Sequence, residues 1–187
     1  MSREIFRKPE EGDIAEINAF KQEFRENNSG MDGTGTLVRC DAEEWLCYNR
    51  KMENREDPDG LHCLQYGLFR EEDGHLLGLI QVRLELVGYL VQFGGNIGYC
   101  VRPSERRRGY AKKMLGYALD ICREKGLEKV LVTCLEDNEG SARTIEAWGG
   151  VLEGIVYDDV NYMANMKRYW IAIGAWNHRR TAGCADV

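Results

Sequence analysis

The chain has 187 residues, of which 43% are apolar, with four Trp and nine Tyr, a size and content that suit one domain with a full core. A formal net charge of −6 argues against a general nucleic-acid binder, and no apolar run approaches the roughly 18–20 residues that span a bilayer. The opening M-S-R-E lacks the apolar stretch of a secretory leader, and the seven cysteines form no C-x-x-C pair, so a reduced, cytoplasmic setting is expected. Three scattered histidines (His62, His75, His178) predict no metal site.

In chain order, residues 5–7 read as a short strand, and Asp13 opens a helix with Ile14, Ile17, Phe20 and Phe24 on one face. Residues 27–40 are glycine-rich and read as a mobile loop. Asp41 with Glu44 forms a capping-box pattern before a second helix carrying Trp45, Tyr48 and Met52. Residues 57–60 (D-P-D-G) are a turn. Residues 61–70 and 76–87 read as a hairpin of two strands, with Gln81, Arg83 and Glu85 on one face of the second. A short strand follows at 97–101. Ala111, Met114, Leu115, Ala118, Leu119 and Cys122 then make the apolar stripe of a helix that Gly126 ends. Residues 130–135 form an unbroken apolar run, as in a strand buried on both faces. A short helix at 141–148 and strands at 151–157 and 163–173 complete the pattern, and a polar tail from Gly174 is expected to fray. Hairpins first and strand-helix alternation later predict an α/β fold: one mixed, mostly antiparallel sheet with helices on both faces. It forms a single domain over 1–173, with a tail over 174–187.

The most informative stretch is V-R-P-S-E-R-R-R-G-Y-A at 101–111. A helix N-terminus presents about four unpaired N–H groups and a partial positive charge. Gly109 lets an anion approach the backbone, Arg106, Arg107 and Arg108 add charge, and small Ala111 keeps the first turn open. This describes a phosphate or pyrophosphate cradle; a charged surface turn capping an ordinary helix is the plainer alternative. No Walker-type G-x-x-x-x-G-K-[ST] and no G-x-S-x-G occurs.

The sequence of strand, R-x-x-G-x-A, amphipathic helix, buried strand, asparagine and short helix resembles the GCN5-related N-acetyltransferases (GNATs). I-G-Y-C-V-R-P-S-E-R-R-R-G-Y-A at 97–111 looks like their acyl-CoA motif, V-L-V-T-C-L-E-D-N at 130–138 like the following strand with its asparagine, and G-G-N-I-G-Y and Y-W-I like a branch of predicted acetyltransferases. The resemblance covers about residues 76–157; residues 1–60 carry no signature. It implies that two parallel strands splay apart to form an acyl-CoA cleft. The pyrophosphate would sit on the amides of Arg106, Arg107, Arg108, Gly109, Tyr110 and Ala111. The pantetheine arm would lie along Tyr99, Cys100 and Val101, with Asn138 and Ser141 further along. It also implies direct transfer of acetyl from acetyl-CoA to a primary amine of a small molecule or a protein, and a homodimer as in many similar proteins; charge and apolar-run length already predict neither nucleic acid nor membrane as partner. Transfer needs a base for the amine and an acid for the leaving thiolate. Glu85 is the candidate base. The usual tyrosine acid falls on Ile145, which cannot donate; Tyr157, Tyr162, Tyr99 or solvent are the substitutes, with Tyr157 carried forward as the candidate. Asn96 could orient the substrate, and Cys134, in an apolar run, reads as an inert core thiol rather than a nucleophile. Loss of the tyrosine also leaves open a non-catalytic acyl-CoA sensor.

Overall fold

The computed structural model describes residues 3–56 and 60–174. The expected turn at 57–60 and the tail beyond Gly174 therefore lie outside the described residues, apart from Gly60. In chain order the elements are β1 (Glu4–Arg7), α1 (Ile14–Glu26), α2 (Ala42–Asn54), β2 (Cys63–Arg70), β3 (Leu76–Arg83), β4 (Ile97–Val101), α3 (Tyr110–Glu124), β5 (Lys129–Leu135), α4 (Glu139–Glu146), β6 (Val151–Asp158) and β7 (Ala164–Ala172). The strands form one sheet in the order β1-β2-β3-β4-β5-β7-β6. Every neighbouring pair is antiparallel except β4–β5, which is parallel.

Helices cover both faces because the apolar residues of the inner strands point both ways. On one face Ile17, Phe20 and Phe24 of α1 and Trp45 and Leu46 of α2 pack on Phe69, Leu76, Leu79 and Cys100. On the other, Met114, Leu115, Leu119 and Cys122 of α3 and Ile145 of α4 pack on Leu77, Ile80, Val82, Val130 and Val132. The expected cap of α2 is present, with Asp41 Oδ1 accepting from the Glu44 N–H at 2.8 Å.

Two readings change. Residues 27–40 are packed down rather than mobile. Leu37 and Thr34 are fully buried, the Trp45 indole N–H donates to Thr34 O at 2.7 Å, and Gln65 Nε2 donates to Gly33 O at 3.0 Å. This loop roofs the polar face of the hairpin, so Gln65 and Gln81 are buried although their strand alternates as if solvated. The second hairpin strand ends at Arg83 instead of 87. The Asn96 side chain donates to Arg83 O at 3.0 Å and closes the ladder; the chain then leaves the sheet and coils through a π-turn at Leu90–Gly94.

Candidate active site

The parallel pair β4–β5 is in register only at Ile97 and Val132. Asn96 sets this point. Its main-chain N–H donates to Leu131 O at 2.7 Å, and its side-chain oxygen accepts from the Leu131 N–H at 2.8 Å. Gly95 is required beside it, since its φ is +65° and a Cβ would stand 2.5 Å from Leu131 O. Both ends of the Asn96 amide thus serve the framework, the oxygen toward β5 and the nitrogen toward Arg83 O. Beyond it the strands separate. Arg83 N–H donates to Asn96 O, and Arg102 N–H to Leu77 O. The alternation of an antiparallel ladder then turns the main-chain groups of Ile97, Tyr99 and Val101 away from β3, toward β5. Val101 O accepts from Arg106 Nε at 3.2 Å. The edge of β4 at Tyr99 has no strand partner, and a gap opens in the middle of the sheet.

This gap leads to the arginine turn. The chain leaves β4 at Arg102, makes a 3₁₀ turn at Pro103–Glu105 and enters α3 with Gly109 as its N-cap residue. Arg107 (φ +65°) and Gly109 (φ +84°) are both left-handed. Residues of opposite hand in succession form a concave nest of N–H groups, an anion-binding geometry. A Cβ at Gly109 would meet nothing within 4 Å, so open space stands before the helix end. Not all the arginine side chains face it freely. Arg106 donates to Ser29 Oγ at 2.6 Å and lies over the Phe24 ring, while Arg108 pairs with Glu105 at 3.0 Å. Arg102, buried and not singled out from the sequence, anchors the turn: its guanidinium meets Glu16 at 2.7 Å and Glu23 at 3.6 Å on α1. The adjoining Glu105, also buried, pairs with Arg70 at 2.6 Å. The only hint in the sequence was an Arg-Pro step at a strand end.

Tyr99 and Ser141 meet across the gap, Oη to Oγ at 2.8 Å, and burial pushes the Tyr99 phenol above its ordinary range. Cys100 and Tyr110 are buried in the two cores, and Ala111 lies in the first turn of α3. Asn138 caps α4, its Oδ1 accepting from the Ser141 N–H at 3.0 Å. Asn138→Ala is expected to cost about 1 kcal/mol through the lost cap, read as a lower midpoint in thermal melts. Ile145 is fully buried in the core.

The candidate catalytic groups are dispersed. Glu85 lies two residues past the end of β3, exposed, with its carboxylate paired to Arg55. Tyr157 is 55% exposed on β6, an outer strand of the sheet. Tyr162, in the turn between β6 and β7, donates its hydroxyl to Asp32 of the roofing loop, and burial with that carboxylate raises its pKa. A cavity of about 490 Å³ at the C-terminal end of β5 is lined by Tyr162, Leu135, Glu136, Asp137, Ala164 and Asn165.

The same turn is held by buried Asp158, which accepts from Tyr89 Oη at 2.5 Å and from the Val160 and Asn161 N–H groups at 2.9 and 3.0 Å. Burial alone would raise this carboxyl, but the Tyr89 and amide hydrogen bonds outweigh it and hold it below the usual range; Tyr89 is pushed up to about 12. A depressed folded pKa gives stability that is present above the unfolded value of about 3.9 and is lost as pH falls through the folded one. The melting difference between the wild type and Asp158→Asn is therefore expected at pH 7 and should vanish in strong acid.

Among the described residues no group of acidic, His or Cys side chains could hold a metal, all six cysteines are free, and no helix is long and apolar enough to cross a membrane.

A sheet opened between two parallel strands, with a nest and helix N-terminus at its mouth, defines an acyltransferase architecture. The family profile of the acetyltransferase (GNAT) domain matches residues 3–151. The chain belongs to the GNAT family and is an N-acetyltransferase. Solved structures share the fold. A ribosomal-protein-S5-alanine acetyltransferase from Vibrio fischeri superposes with a TM-score of 0.74 at 13% identity, over 95% of this chain and 97% of that one. The microcin C7 self-immunity acetyltransferase MccE, in complex with acetyl-CoA and AMP, gives 0.68 at 12%, over 90% and 92%. A chimera of Vibrio cholerae spermidine N-acetyltransferase SpeG with hSSAT gives 0.60 at 17%, over 92% and 96%. No curated protein matches the sequence closely enough to count as a relative.

Proposed function

We propose that this N-acetyltransferase, one domain over residues 1–173, moves acetyl from acetyl-CoA to a primary amine within a ternary complex. The observation that carries the reading is the unpartnered edge of β4 leading to an open glycine-capped helix end. The residues fit the co-substrate. The nest at Arg106–Ala111 offers N–H groups and space to a diphosphate, and Tyr99 and Val101 offer an amide-bearing edge to an extended arm. Acetyl-CoA, when bound, supplies an activated acyl thioester. The chain holds it against the amine, and positioning of this kind is worth up to about 7–11 kcal/mol. As the amine nitrogen bonds to the carbonyl carbon, its proton goes to a base and the departing sulfur takes one from an acid. Burial pushes the Cys134 thiol up to about 11, leaving it protonated and a poor nucleophile. That favours direct transfer over an acyl-enzyme.

Glu85 is kept as candidate base and Tyr157 as candidate acid. With Glu85 as base, Glu85→Gln lowers turnover more than coenzyme A affinity; unchanged turnover removes it. Structural neighbours named for spermidine and for a ribosomal protein support an amine acceptor, small molecule or protein; a cytoplasmic setting is part of the same proposal and rests on the sequence alone. Exposed Val151, Leu152 and Ile155 on outer strand β6 offer a surface for a homodimer.

The buried Ile145 in place of a phenol favours a second reading, a non-catalytic acyl-CoA sensor. Calorimetric titration with acetyl-CoA and thiol release across an amine panel separate the two. Binding with release supports transfer, binding without release supports the sensor, and no binding overturns both.

A further inference from the structure

We propose that the acceptor is a zwitterionic amine of the α-amino-acid class, its carboxylate bound by Arg83 and its ammonium group received by Asp32. This rests on the transfer reading above and specifies its acceptor.

Arg83 is the last residue of β3 and is largely withdrawn from water. Its Nε donates to Gln81 Oε1 at 3.0 Å, and its Nη1 donates to the carbonyls of Gly94 and Gly95 at 2.9 and 3.1 Å. All three acceptors are neutral. Among the described residues no carboxylate lies within ion-pairing distance of it, unlike Arg7, Arg70 or Arg102, each of which has an acid. A desolvated cation without a counter-ion is unfavourable, and burial indeed pushes the Arg83 pKa down. The Nη2 group keeps two N–H donors unused by the described residues.

The position of that group ties it to the gap. A Cβ built on Gly98 would stand 3.0 Å from Arg83 Nη2 and 3.0 Å from both N and Cα of Gly33. The guanidinium tip therefore packs where the roofing loop meets β4, against Gly98 and one residue from Asp32. Gly98 stands between Ile97, where β4 and β5 are still paired, and Tyr99, where they have parted. Asp32 immediately precedes Gly33 in the loop. It is exposed and accepts from the Tyr162 hydroxyl, and Tyr162 also lines the cavity at the end of β5. Asp32 is near enough to raise the Arg83 pKa, yet the two make no ion pair. A cationic fork beside a loop that carries a carboxylate suits a ligand that has both an anion and an amine, as an α-amino acid does. A planar carboxylate matches the two free N–H donors. A polyamine carries no anion for Arg83, and an internal or N-terminal peptide amine carries only a neutral carbonyl beside it.

The test compares matched pairs, phenylalanine with 2-phenylethylamine and lysine with cadaverine, by thiol release from acetyl-CoA and by calorimetric titration in the presence of coenzyme A. The wild type is expected to favour the amino acid in kcat/KM by roughly ten- to hundredfold, the scale of a charge-assisted hydrogen bond. Arg83→Gln should erase that preference, acting on the amino acid's KM and not on that of the decarboxylated amine. If Arg83→Gln fails to fold because the Gly94–Gly95 turn loosens, Arg83→Lys, which keeps the charge and loses the fork, and Asp32→Asn, at an exposed loop position, carry the test. Both should weaken amino-acid binding at unchanged coenzyme A affinity. Equal or better use of the decarboxylated amines, or a preference indifferent to all three variants, overturns this assignment and leaves the transfer reading standing. Absence of thiol release with every amine overturns transfer; the titrations then decide separately, amino-acid binding that needs Arg83 sustaining the site and absence of binding overturning it.

Discussion

Gly109→Glu is expected to abolish coenzyme A binding while the fold survives. Two effects separate cleanly at this position. The conformational one is small: φ is +84°, and a non-glycine residue there costs about 1–2 kcal/mol. No protein atom stands within 4 Å of the added Cβ, so no steric cost is added. For a chain of this size the melting midpoint should fall by roughly 2–8 °C. The functional effect is large, because the new carboxylate occupies the open space before the helix N-terminus and repels an incoming diphosphate. Gly126→Glu supplies the control. Gly126 has the same φ of +84° and the same empty surroundings, but lies past the other end of α3. It should show the same loss of stability with normal binding in calorimetric titration. Equal binding by both variants would remove the diphosphate from this turn.

Gly33→Ala is expected to be the most destabilising single methyl group in the chain. A Cβ at Gly33 would fall 1.9 Å from Gly98 O and 2.1 Å from Gly98 C, and φ is +71°. The obstruction is strand backbone, which cannot swing aside as a side chain would. Left-handed strain of about 1–2 kcal/mol and overpacking of about 1–3 kcal/mol add to roughly 2–5 kcal/mol, a drop in melting midpoint on the order of 4–20 °C. The roof must lift, taking Asp32 with it and weakening the Gln65 bond to Gly33 O, so the acceptor KM should rise more than coenzyme A affinity falls. Gly30→Ala, three residues earlier with nothing within 4 Å and no left-handed φ, should be neutral or slightly stabilising. Indistinguishable melts for the two variants would show that the loop does not rest on β4.

The proposed diphosphate cradle is more legible in the sequence than the proposed acceptor site, for a physical reason. A helix N-terminus with Gly109 and its arginines is a local device, built from consecutive residues, and periodicity fixed α3 and β5 around it. The proposed acceptor site is assembled from remote pieces. Arg83, Gly98, Asp32 and Tyr162 come from four segments, and none stands in a pattern of its own. Residues 27–40 read as mobile because glycine is common in free loops. The same glycines are there so that Gly33 can touch Gly98, a contact that no local window contains. Asn96 illustrates the converse. A polar residue before the cofactor strand suggested a substrate contact, yet both ends of its amide are used between Arg83 and Leu131. Glu85 was placed on a longer strand than exists, since nothing in the alternation 81–87 signals that Asn96 terminates it.

Asn96 also bears on how the proposed co-substrate would be received. Because Asn96 ties β4 to β5 through Leu131 beside their one paired position, the unpaired edge beyond belongs to the protein's own framework, and on the proposed reading little reorganisation need accompany co-substrate binding. An extended amide-bearing arm would then behave as a surrogate strand, restoring the interrupted hydrogen-bond ladder at Tyr99 and Val101. Amide protons along that edge, exchanging freely in the empty protein, would become slow once the sheet is made whole.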